Sequence, residues 1–190
     1  MRRLFCAVKV PLNDALEKAM EAFRQELSEA RVNWVSPQNL HLTLKFFGDT
    51  PNEQVDGIIE ALHLGAANFP PFSFSVEGCG TFGSTRQPNV IWLGIRNSKT
   101  LEDLYHSLNH FLSPLGYEPD RKFFSPHLTI GRIKYIQDTL GLRALESEFN
   151  GQKFAKVPTG SFYLMESFLR PQGPLYKIVE EFKLGEGHRA

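Results

Sequence analysis

Hydrophobic and polar positions change rhythm along the chain in a way that marks out its elements. Residues 3–10, RLFCAVKV, are apolar and rich in strand-forming side chains, and predict a strand. Leu16, Met20, Phe23 and Leu27 then recur at helical spacing, predicting a helix over 13–30 that Asn13 or Asp14 can cap. A short strand around 31–35 and a turn at Ser36-Pro37 follow. A second helix is expected from near Thr50 to Gly65. Pro51 fits its first turn, Glu53 completes a capping box, and Val55, Ile58, Ile59 and Leu62 form its apolar face. Alternation returns at Phe72, Phe74 and Val76, and residues 89–95, NVIWLGI, read as a buried strand beyond the polar loop GSTRQP. A third helix over about 99–112 turns Leu101, Leu104, Leu108, Phe111 and Leu112 inward, and Pro114 and Gly116 end it. A strand over 122–133, a short helix around 138–149, and strands near 160–168 and 175–184 joined by RPQGP complete the pattern.

Each half of this pattern holds a helix, a strand, a helix and further strands, which predicts an α+β fold of two lobes with antiparallel sheets. The strand in each half carries the same three residues, LHLTLKF at 40–46 and PHLTIG at 126–131. Side chains alternate across a strand, so Leu40, Leu42 and Leu44 share one face while His41 and Thr43 share the other. In the second copy Leu128 and Ile130 oppose His127 and Thr129. The apolar face packs into its lobe, and the polar face presents an imidazole and a hydroxyl roughly 7 Å apart. Chance placement of six histidines among 190 positions gives roughly 0.25 His-x-Thr matches, so two copies with the same central Leu and the same strand context point to one site built from two halves.

Two such pairs facing each other across a cleft suit attack on a phosphodiester. One imidazole can activate the nucleophile and the other can protonate the leaving oxygen, since an ordinary histidine titrates near pH 6.5. The threonine hydroxyls can donate hydrogen bonds to non-bridging phosphate oxygens. No metal is required for either proton transfer. A near-symmetric site does not by itself say which histidine gives the proton.

Composition narrows the partners. The formal net charge is zero, so contact with nucleic acid is expected to be local, at an end or with a small fragment. Cys6 and Cys79 are the only cysteines and sit in apolar, strand-like contexts, which predicts buried free thiols and a reducing compartment. Lys9 and Pro11 cut the N-terminal apolar run short of a signal sequence, and no segment approaches the ~20 apolar residues of a membrane span. A cytoplasmic location is expected.

HLTL at 41–44 and HLTI at 127–130 resemble the paired motifs of the two-histidine (2H) phosphoesterases, and within them the RNA 2′,3′-cyclic phosphodiesterase family, also called 2′-5′ RNA ligase-like. RLFCAV, LHLTLKFFG, NVIWLG, SPHLTIGR and RPQGPLY extend the likeness over nearly the whole chain. The resemblance implies one bilobal unit over residues 1–190, its two antiparallel-sheet lobes related by a pseudo-twofold axis around a central cleft. It implies opening of terminal 2′,3′-cyclic phosphates of RNA, or of nucleotides, to 2′-phosphates, with no cofactor or metal and no obligate protein partner, in a monomer. His41 would then be the proton donor, His127 the acceptor, and Thr43 and Thr129 the phosphate ligands. Arg132 matches a basic family position, although strict alternation points it to the apolar face unless Gly131 marks a bulge. Phe5 falls where relatives carry aromatics that pack on the base or rim, whereas Cys6 replaces one of these. Ligation to a 5′-hydroxyl at the same site and a non-catalytic RNA-end-binding module are the alternatives.

Other residues carry less. His106 and His110 stand four apart, but HSLNH lacks the glutamate of a zinc-binding H-E-x-x-H, so an exposed helix face is expected. His63 and His188 have no evident partner. Trp34 and Trp92 fit strand cores, with Trp34 near enough to the first motif to reach the cleft rim. Arg86 and Arg170 lie in loops that could meet phosphate or ribose or simply be solvated.

Overall fold

The computed structural model describes residues 1–67, 69–96, 99–119 and 124–185. Its strands are β1 (Arg2–Lys9), β2 (Arg31–Trp34), β3 (His41–Thr50), β4 (Phe72–Gly83), β5 (Pro88–Arg96), β6 (His127–Tyr135), β7 (Lys153–Thr159), β8 (Ser161–Phe168) and β9 (Leu175–Lys183). The helices are α1 (Asp14–Glu26), α2 (Val55–Ala66), α3 (Lys99–Leu112) and α4 (Leu140–Glu148).

The strands form one antiparallel path, β7-β4-β5-β6-β3-β1-β8-β9, with β2 added beside β6. Cut between β6 and β3, it gives two four-stranded lobes whose central pairs are β5-β6 and β1-β3. Each pair is joined through a helix, α3 or α1, and each is followed by another, α4 or α2. The helices pack crosswise, α1 on α4 and α2 on α3. This is the expected α+β architecture with pseudo-twofold order. The lobes are not separate sheets, however: β3 and β6 meet at one registered pair, Leu42 with Leu128.

Parity decides which residues enter the core. On β1, Leu4, Cys6 and Val8 join the main core with Leu42, Leu44, Leu128 and Ile130, beneath the helices. Phe5 and Ala7 point to the opposite face, where they form a small cluster with Met165. Helix α1 begins where Asn13 accepts a hydrogen bond from the Leu16 amide at 2.8 Å, as a capping residue does. The Asn13 side-chain amide also donates to the Phe154 carbonyl, tying α1 to β7.

Several expectations are corrected. The capping box at α2 does not form: the Thr50 hydroxyl donates back to the Gly48 carbonyl, and a short 3₁₀ turn at Asn52–Gln54 precedes the helix. Phe111 lies outside the core, and Tyr105 and Asn109 fill α3's inner face beside the leucines. Strand β7 had no clear sequence signal, because Lys153, Lys156 and Pro158 interrupt it. It sits at the sheet edge, where an unpaired proline nitrogen costs no ladder bond. The strand expected over 122–133 starts at His127, residues 120–123 lying outside the described set. Cys6 is buried and Cys79 half-buried, and neither forms a disulfide.

Candidate active site

Both His-x-Thr strands carry the same irregularity directly after the threonine. Between β1 and β3 the register slips by one residue as the pairing passes from Lys45 to Thr43, leaving Leu44 unpaired. Between β5 and β6 it slips from Gly131 to Thr129, leaving Ile130 unpaired. Such a slip puts two successive residues on one face. Leu44 and Lys45 are accordingly both buried, as are Ile130 and Gly131. The next residue in each strand, Phe46 or Arg132, is thereby turned back toward the histidine face. This answers the parity objection to Arg132. A Cβ on Gly131 would stand 2.9 Å from the Trp34 ring, so glycine at this position lets the indole close over the strand.

The cleft that results has a volume of about 530 Å³ and is lined by His41, Thr43, His127, Thr129 and Arg132 together. All five come from the two central strands. Phe5, Phe46, Arg3, Tyr176, Leu169 and Pro174 complete its walls. Phe5 is 4 % exposed, with its ring 5.0 Å from that of His41 and 4.9 Å from that of Tyr176. Its faces are used to seat His41, so it forms the floor of the cleft rather than an open rim. Cys6, on the opposite side of β1, does not reach the cleft.

The two imidazoles are held alike. His41 Nδ1 donates to the Asn39 carbonyl at 2.6 Å, and His127 Nδ1 to the Ser125 carbonyl at 2.7 Å. A carbonyl only accepts, so Nδ1 carries the proton in each ring and Nε2 is the nitrogen left for chemistry. Aromatic edges brace both rings, Tyr176 against His41 and Phe82 against His127. Burial holds the His41 pKa below its ordinary 6.5. The Asn39 hydrogen bond opposes that shift, while the charges of Arg132 and His127 add to it. Tyr176 is pushed up by burial, with Arg132 pulling the other way, and remains a neutral phenol.

Sequence reasoning missed Tyr176, Phe46, Arg3 and Asn39 as site residues. Tyr176 and Phe46 lay within the motif segments RPQGPLY and LHLTLKFFG, but nothing in the letters said which way they face. Of the two loop arginines, Arg170 lines an adjoining cavity, whereas Arg86 is exposed and lines neither cavity. Trp34 lines that adjoining cavity too, while Trp92 of β5 lies over Gly80 of β4 and lines neither cavity. His106 and His110 are exposed on α3, as expected. His63 does have neighbours, Glu180 at 3.7 Å and the Phe182 ring. His188 lies outside the described residues. Among the described residues no group of three or more His, Cys, Asp or Glu is placed to hold a metal, and no helix is long and apolar enough to cross a membrane.

The family model described as LigT like Phosphoesterase matches residues 8–92, which span the end of β1 and the first His-x-Thr strand. Similarity to curated proteins runs over the full chain. The RNA 2′,3′-cyclic phosphodiesterase of Methanothermobacter thermautotrophicus is 33 % identical over 96 % of this chain and 98 % of its own length. The chain belongs to the LigT-like phosphoesterase family. A second relative, the RNA 2′,3′-cyclic phosphodiesterase of Thermotoga maritima, is 35 % identical over 97 % of both chains. Among solved structures, TT0787 of Thermus thermophilus superposes with a TM-score of 0.77 at 28 % identity, covering 98 % of this chain and all of that one. E. coli LigT, crystallised with 3′-AMP, shares the LigT fold at a TM-score of 0.70 and 22 % identity, covering 97 % of this chain and 98 % of its own.

Proposed function

We propose that this LigT-like phosphoesterase hydrolyses RNA 2′,3′-cyclic phosphodiester ends, and the corresponding nucleotides, to 2′-phosphomonoesters. The observation that carries the reading is the matched tethering of His41 and His127. Each has Nδ1 fixed on a backbone carbonyl two residues back, which leaves two Nε2 atoms in one cleft with two threonine hydroxyls and an arginine.

The reaction follows from that arrangement. The cyclic phosphate lies between the rings, its non-bridging oxygens accepting from Thr43 and Thr129, and the Arg132 guanidinium balances its charge. His127 Nε2 takes a proton from water as the water oxygen bonds to phosphorus. The bond from phosphorus to O3′ breaks in line with this attack, and protonated His41 gives O3′ its proton through Nε2. The product keeps the phosphate on O2′ and has a free 3′-hydroxyl. The order of the two histidines follows the family resemblance. His41's lowered pKa is compatible with the donor role once the anionic phosphate is bound, because that charge favours imidazolium.

Both half-sites come from one chain, so we take residues 1–190 as a single bilobal unit that needs no partner subunit to complete the site. Burial pushes the Cys79 thiol up to about 12, with Glu146 adding to the shift, and raises Cys6 as well. Two unpaired, unreactive thiols fit a cytoplasmic enzyme.

The test is incubation of the protein with a nucleoside 2′,3′-cyclic phosphate in the presence of EDTA, with product identification by phosphorus NMR. A 2′-phosphate is expected. A 3′-phosphate would overturn the assignment of the leaving oxygen, and binding without turnover would favour an RNA-end-binding module.

A further inference from the structure

The active-site cleft does not end at Arg132. A second cavity of about 470 Å³ opens beside it, and the two share Val35, Arg132, Leu169, Pro174 and Tyr176 along their common wall. Together they form one groove with Arg132 at the junction. The new part runs between the end of β2, the turn before β3 and the loop that joins β8 to β9.

Its chemistry differs from that of the cleft. Trp34 and Leu169 supply apolar surface, Leu169 being 77 % exposed and the Trp34 ring having the Arg24 guanidinium 5.9 Å from its centroid. Arg170 and Gln172 bring a charged and a neutral donor from the loop. The loop is anchored where it meets the catalytic strand: Asn39 donates its side-chain amide to the Pro174 carbonyl at 2.9 Å. The backbone carbonyl of that same residue holds His41 Nδ1. One residue therefore positions both the catalytic imidazole and the wall of the second cavity.

A cyclic phosphate stands at the 3′ end of an RNA, so the strand continues only upstream, one nucleotide at a time. The cleft that holds the phosphorus is of a size for one nucleotide, and the adjoining cavity is nearly as large. Stacking surface beside a guanidinium is how proteins hold single-stranded nucleic acid. The zero net charge fits a contact limited to one further nucleotide. We infer that this groove is a subsite for the penultimate nucleotide of the RNA, its base on the Trp34–Leu169 surface and its phosphate met by Arg170. The inference rests on the reading of the cleft as a cyclic phosphodiesterase site.

The experiment compares kcat/KM for a nucleoside 2′,3′-cyclic phosphate with that for a dinucleotide carrying the same cyclic end. The dinucleotide is expected to be favoured by about tenfold or more, the scale of one stacked base. Arg170→Ala and Gln172→Ala alter exposed positions that line the second cavity and not the cleft. Each should reduce the dinucleotide advantage and leave mononucleotide turnover unchanged. Equal kcat/KM for the two substrates in the unaltered enzyme overturns the subsite while leaving the phosphodiesterase reading intact. A gain produced by adding a 5′-hydroxyl dinucleotide in trans, rather than by extending the substrate, would give the groove to a second strand and also overturn it. No turnover of either substrate would refute the cleft reading, and the subsite with it.

Discussion

Leu42 of β3 pairs with Leu128 of β6, and this one register joins the two lobes of the sheet. Antiparallel pairing there sets His41 level with Thr129 and Thr43 level with His127. Each imidazole thus shares its level of the cleft with the other strand's hydroxyl. The strands run in opposite directions, so Phe46 and Arg132, which follow the two threonines, go to opposite ends. The pseudo-symmetric frame holds a chemically asymmetric site.

The histidine pair is the first point to test. Both rings are partly exposed at the cleft surface, so removing either should leave the fold intact. His41→Ala and His127→Ala should each lower kcat by about 10²–10⁴-fold, the usual contribution of a positioned acid or base. Steady-state assays on a cyclic nucleotide, with thermal melts as a control for folding, give the answer. An active single variant would sink the paired acid–base scheme.

Arg132 should reveal which histidine gives the proton. Burial is the first cause of His41's lowered pKa, and the charge of Arg132 adds to it. Arg132→Gln should therefore raise the His41 pKa, as read by NMR titration of the imidazole. With His41 as the acid, kcat/KM of the free enzyme needs it protonated, so the alkaline limb of the pH profile should move to higher pH in the variant. Movement of the acid limb instead would reverse the two roles. The same shift has a sign for stability. Since the folded pKa lies below the unfolded value of about 6.5, His41's contribution is present above that pH and is lost as pH falls through the folded pKa.

Much of this was legible in the letters because strand parity is a local property. HLTL and HLTI fix which side chains share a face, and four of the site residues follow from that alone. Arg132 was ambiguous because its direction depends on a register slip against β5, a pairing with a strand more than thirty residues away. Phe46 is turned toward the cleft by the equivalent slip against β1 and gave no signal for the same reason. Tyr176 reaches His41 only because β9 sits beside β8, and β8 beside β1. Strand β7 escaped notice because an edge strand tolerates the proline and lysines that would rule out a central one. Local pattern shows facing, whereas neighbours in the sheet must be seen.

Lys45 presents a buried charge that β3 holds against the other lobe. It is 5 % exposed, and its ammonium donates to Asn109 Oδ1 at 3.0 Å and to the Glu118 carbonyl. Lys45→Met keeps the stem but removes the donors, leaving Asn109 Oδ1 without this bond in the core. A loss of about 1–3 kcal/mol per stranded group is expected, visible as a lower denaturant midpoint. Unchanged stability would show that the surroundings repack without cost.

Phe46 offers the last test, because the register slip on β3 turns its ring out of the core and onto the wall of the cleft. The ring is 52 % exposed on the wall of the cleft, with the Arg3 guanidinium 5.0 Å from its centroid. A side chain so open contributes little to the core, so Phe46→Ala should shift the melting midpoint only slightly. An exposed aromatic beside the reacting phosphate can instead take a nucleobase, an interaction of about 1–3 kcal/mol per base. That energy is the same in the ground and transition states, so its loss should appear in KM, raised about fivefold or more, with kcat little changed. Phe46→Tyr or Phe46→Trp should restore the original KM, since any flat aromatic serves. A fall in kcat with KM unchanged would mean that Phe46 shapes the geometry around His127 and does not bind the base.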